Sequence, residues 1–137
     1  MPVHLLKIAV GIESVLHFHE RMKLRKGKTF THHTRHMPKR KAEVLDGGSL
    51  YWIVKGAIAV RCPIVDLKEV VLENEGPHCA IVMRKELISV LPQPRRPHQG
   101  WRYLEADDAP PDLADAGKGA AELPPELVAE LRALGLL

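Results

Sequence analysis

Arg35, Lys39 and Arg40 surround Pro38 in "TRHMPKRK", and Arg95, Arg96 and Arg102 stand beside Trp101 and Tyr103 in "PRRPHQGWRY". Guanidinium groups grip phosphate through paired N–H donors, and aromatic rings stack on unpaired bases. These residue types suit single-stranded RNA or a nucleotide, with Trp101, Tyr51 and Trp52 as candidate stacking rings. Strand alternation sets Tyr51 and Trp52 on opposite faces, so one of them is expected in the core. Trp101 is then the ring expected to be exposed. The competing reading is arginine packed on tryptophan for stability alone.

Other chemistries find less support. His32, His33 and His36 cluster, and His17 and His19 flank Phe18, yet residues 32 to 36 read as strand, where His33 points away from His32 and His36. No cysteine or carboxylate completes a ligand set, so neither a metal nor another cofactor is expected. Ser49 in "DGGSLYW" enters a strand and lacks the small residue that a nucleophile elbow needs after its serine. Cys62, beside Arg61 and before Pro63, and Cys79 have no paired spacing and are expected as buried thiols. Acid–base catalysis would fall to Lys39 and Glu43, the alternative catalytic pair, but their spacing is also that of an ordinary ion pair on one helical turn.

The charge is unevenly spread. Between residues 17 and 42 nine cations face one acid, Glu20, although the whole chain carries only +3. From 105 to 130 eight acids oppose only Lys118. A basic face for a polyanion and a solvated acidic segment follow from this. With 137 residues, 45% hydrophobic and 27% charged, the chain reads as one globular domain. No apolar run approaches the ~18 residues of a membrane span, and "MPVHLLKIAV" lacks the basic start and cleavage site of a signal peptide. A cytoplasmic location with no membrane contact is the expectation.

The elements that must position these residues can be read in order. "VHLLKIAV" predicts a strand ended by Gly11. Ile12, Val15, Leu16 and Met22 predict a helix whose basic end complements its dipole. "FTHHTRHM" predicts a strand, and "PKRKAEVLD" one or two helical turns closed by Gly47. "SLYWIVKGAIAVRCPIVDLKEVVLE" predicts a strand pair broken at Gly56, with Pro63 at an edge or bulge. "CAIVMR" and "ELISVLP" predict two more strands. Residues 92 to 100 predict an extended surface loop. The resulting organisation is a β-barrel-like domain over 1–104, an acidic linker over 105–123, and an amphipathic helix over 124–137. That helix could dock on the barrel or hold a protein partner.

"TR" at 34 and 35, "PKR" at 38 to 40, "DGGSLYW" at 46 to 52, "KG" at 55 and 56, and "PRRP" with "GWRYL" resemble a bacterial family of uncharacterised proteins, domain-of-unknown-function family 1489. The resemblance supplies a family and no activity. An arginine before a short basic turn, then Gly-Gly leading into a long strand pair, is more distantly similar to PUA-like domains of the ASCH and EVE branches. That similarity implies a small barrel associated with RNA or modified bases, with a pocket at its mouth.

The expectation is therefore an α+β fold. Five or six mostly antiparallel strands curve toward a barrel with flanking helices, and the domain binds RNA or a modified nucleotide without catalysis. The alternatives are a small hydrolase or ribonuclease and a protein-docking module.

Overall fold

The computed structural model describes residues 2–116 and 123–136. Among them are seven strands: β1 (Val3–Ile8), β2 (Thr29–Thr34), β3 (Ser49–Val54), β4 (Ala57–Leu72), β5 (Gly76–Arg84), β6 (Ile88–Pro94) and β7 (Arg102–Glu105). The helices are α1 (Val15–Lys23), α2 (Lys41–Leu45) and α3 (Pro125–Ala133), with two 3-10 turns at Ala106–Asp108 and Leu113–Asp115. The fold is α+β, as expected, with seven strands instead of five or six.

The strands follow the order β2-β5-β4-β3-β1-β7, and β6 joins β4 off this path. Only β1 and β3 run parallel. β4 makes the curvature. Its first part pairs with β3 and β6, and from Ile64 onward it pairs with β5. A register shift between Ile64 and Asp66 follows Pro63, where the missing N–H favours a bulge. The sheet curves but does not close into a barrel, because the path ends at β2 and β7.

Local chemistry accounts for the turns. Lys55 and Gly56 both have positive φ, the two-residue hairpin turn whose twist matches its strands. Gly48 has a different role: a Cβ there would collide with the carbonyls of Val44 and Val3, so this position lets α2 close against β1. Ser14 caps α1 by accepting from the His17 N–H at 3.0 Å.

All six residues of β3 are buried, because both faces of the sheet are covered. Leu50, Trp52 and Val54 join the main core with Phe18, Met22, Val44 and Ile81. Tyr51 and Ile53 join a second cluster with Leu6, Val90 and Leu104, against which Ala109 packs. Each large aliphatic side chain so buried contributes about 1.5–3 kcal/mol.

The acidic segment after β7 behaves differently from a loose linker over its described part. The Leu91 N–H donates to the Pro111 carbonyl, Asp112 bridges to Val90, and Leu113 is buried. Arg61 grips Asp112 through Nε and Nη2 at 2.7 and 2.8 Å, and its Nη1 donates to Ser49 Oγ. Residues 117–122, the rest of the expected linker, lie outside the described residues. Beyond them α3 seats Leu131 on Leu113 and Leu123, with Leu127 and Val128 alongside. No helix among the described residues is long and apolar enough to cross a membrane.

Candidate functional site

The two basic segments meet. The Trp101 indole N–H donates to the His36 carbonyl at 2.8 Å, and the Arg40 N–H donates to the Tyr103 hydroxyl at 3.0 Å. Trp101 and Tyr103 pack edge to face at 4.8 Å, and the Arg40 guanidinium lies over the Tyr103 ring. These contacts tie the turn after β2 to the start of β7, 65 residues away.

The same contacts change the roles of several predicted site residues. Arg40 is held by both Glu43 and Glu105, which raises its pKa and makes it a poor candidate for phosphate. The Arg40 hydrogen bond in turn holds the Glu43 carboxyl below its usual range, so Glu43 is a structural carboxylate and an unsuitable proton donor. Trp101 is half-buried. Tyr51 and Trp52 are both buried, at 5% and 4% exposure, so the expected choice of one core ring becomes two. On the face beneath residues 106–113, Tyr51 packs against His4, whose Nδ1 accepts from the Ser49 N–H at 2.9 Å. Burial, then the nearby Arg61, lowers the His4 pKa, and burial raises that of Tyr51. Arg35, Lys39, Arg95, Arg96 and Arg102 form no ion pair among the described residues. Arg102 does donate to the carbonyls of Gln99 and Trp101, and the Arg95 N–H donates to the Gly56 carbonyl.

Apart from Trp52, named as a candidate stacking ring, and His32, noted among the histidines, sequence reasoning missed the residues that line a pocket of about 520 Å³ between the end of β1, α1 and β2. Phe18, Phe30, Trp52, Met22 and His32 form its walls, and Arg21 and Arg25 stand among its lining residues. Arg25 also lies over the Phe30 ring. Val10 and Leu24, 84% and 79% exposed, complete an apolar lip. Phe18 and His32 each meet Trp52 edge to face, at 5.5 and 5.4 Å. Trp52 Nε1 makes no regular hydrogen bond but bears on the Cys62 thiol, whose pKa burial pushes up to about 12.

Cations surround His32 at the wall of this pocket. Burial, then Lys7, His33 and Arg25, push the His32 pKa down to about 4. Burial, then Arg102 and Lys7, the last aligned with Trp52 across the parallel pair, lower the His98 pKa. The His98 ring nitrogens approach the Gln99 and Gly100 backbone without regular hydrogen bonds. Lys7 thus bears on both His32 and His98, and burial favours the neutral form of each ring.

A signal for this pocket was present in the sequence. His32 reads there as one of a histidine cluster, Arg25 as a complement to the α1 dipole, and Arg21 only as one cation of the basic run. Among the described residues no three His, Cys, Asp or Glu side chains are arranged to hold a metal ion. His32 turns to the pocket, while His33 and His36 are exposed. Cys62 and Cys79 are free and buried, the latter donating to Met37 Sδ at 3.6 Å.

No curated protein and no solved structure matches the chain. A family model matches residues 5–137, and the chain belongs to that family, described as Protein of unknown function (DUF1489).

Proposed function

We propose that this protein binds single-stranded RNA or a nucleotide, taking a base into the pocket of α1, β2 and β3 and its phosphates onto Arg21 and Arg25, with a longer strand reaching Lys7 and Arg102. The observation that carries this reading is an aromatic-walled pocket lined also by two arginines that form no ion pair among the described residues. A ring system fits the walls, and an anion fits the arginines. Arg35, Lys39, Arg95 and Arg96 extend the cationic surface available to a longer strand.

Catalysis through Lys39 and Glu43 is disfavoured by the Arg40–Glu43 ion pair. Docking of a protein through α3 would require displacing the contacts of Leu127, Val128 and Leu131 with their own chain. The test is titration of mixed single-stranded RNA at low and moderate salt, followed by tryptophan fluorescence. Quenching that weakens with salt and falls in Arg25→Gln supports the reading. Quenching in neither salt overturns it.

A further inference from the structure

Val10, Leu24 and Val71, the large apolar side chains most exposed among the described residues, fall on two patches of opposite charge. Val10 and Leu24 form the lip of the pocket, and beside them residues 21–28 carry five exposed cations and no acid. Val71, 78% exposed, stands near the β4–β5 turn, where Asp66, Glu69, Glu73 and Glu75 oppose only Lys68. None of these charges forms an ion pair among the described residues. The turn also projects. β2 ends at the Thr34–Cys79 pair and β3 leaves β4 at Pro63, so residues 70–72 and 76–78 pair only with each other. A two-stranded end without further backing is marginally stable in water and gains from a surface to lie against.

We infer that the chain associates with a second copy of itself, head to tail: the β4–β5 turn of one copy seats Val71 against Val10 and Leu24 of the other, and its Glu69, Glu73 and Glu75 face Arg21, Arg25 and the neighbouring lysines. Complementarity names this occupant, since apolar surface meets apolar surface and an acidic rim meets a basic one. One chain cannot make the contact alone. The lip stands by Phe30 and His32, and β2 pairs His32 with Ile81, six residues of strand before the acidic turn at Glu75, a separation of about 20 Å. Because the two surfaces are unlike, either two copies exchange turns reciprocally or a row of copies grows. The contact engages Arg21 and Arg25, so it competes with a polyanion for them, but it does not rest on the nucleotide reading.

Sedimentation velocity over a range of protein concentrations, at low and moderate salt, tests the contact. Wild-type protein should gain mass with concentration and lose it with added salt, because a hairpin end against one lip is a small and charge-dependent interface. Val71→Lys with Glu73→Lys spoils the turn, and Leu24→Glu with Arg25→Glu spoils the lip. Each double variant alone should associate at least about tenfold more weakly than wild type. Mixed together they should form a two-chain species, since the intact lip of the first meets the intact turn of the second. Wild-type protein that stays monomeric at every concentration, or association that neither variant weakens, overturns the inference and leaves the nucleotide pocket standing. Variants that circular dichroism shows to be folded, yet that stay monomeric when mixed, overturn it as well. Monomeric wild type that sediments with phosphatidylserine vesicles and not with phosphatidylcholine vesicles gives the lip to a lipid surface, which again overturns the contact.

Discussion

Arg25 and Arg40 carry the same charge among different neighbours. Arg40 sits between two carboxylates and over Tyr103, whereas Arg25 faces a pocket and the Phe30 ring. Ion-paired cations neutralise little added phosphate, so Arg40→Gln should change RNA affinity less than about twofold and Arg25→Gln should lower it about five- to tenfold. Comparable losses in a filter-binding assay would return the site to the turn after β2.

His32 makes a separate prediction about stability. Its folded pKa of about 4 lies below the ordinary 6.5, so the unfolded chain binds the extra proton between those values. Stability is complete above pH 6.5, falls as the pH drops toward 4, and levels below that. Allowing for its partial contact with water, the loss is about 2 kcal/mol. Denaturant melts of wild type and His32→Leu across this range should show a shallower decline in the variant. His4, His19 and His98 shift the same way and contribute to what remains.

At the scale of elements, the segment after β7 is held by the Arg61–Asp112 pair and by Leu113. The Arg61 hydrogen bonds keep the Asp112 carboxyl below its usual range, so the clamp holds to lower pH than an unpaired aspartate would. Asp112→Asn removes the charge from a half-buried pair. It should cost about 1–2 kcal/mol and speed amide exchange over residues 106–113 more than in α1. Uniform acceleration across the molecule would mean that this segment is not a separate unit.

Asp112 also shows where sequence reading ends. The strands, the Lys55-Gly56 turn and the bulge near Pro63 were legible, because each is written in contiguous residues as alternation, positive-φ turn chemistry and a missing N–H. The clamp was not, because Arg61 and Asp112 lie 51 residues apart and composition around Asp112 reads as coil. The pocket escaped for the same reason: its walls come from β1, α1, β2 and β3, and periodicity in one element does not say which element it faces. Meeting of the two basic segments likewise depends on β7 pairing with β1.

For the molecule as a whole, three acids are committed to structural pairs. Glu43 and Glu105 hold Arg40, and Asp112 holds Arg61. The cations of α1 and the 95–102 loop outnumber the one acid on α1, Glu20, which forms no ion pair among the described residues, and that excess is the arrangement that attracts a polyanion. If Arg21, Arg25, Lys7 and Arg102 each neutralise one phosphate of a single strand, log K should fall with log salt at a slope of about −3, since each contact releases roughly 0.7 of a counterion. Arg25→Gln should make that slope shallower by about 0.7. Lys39→Gln, beyond the four groups counted, should leave it unchanged for a mononucleotide and alter it only for strands long enough to reach the turn after β2. A slope near zero for every strand length would mean that ligand affinity comes from the apolar walls alone, and that the basic half of the chain is a solvated face.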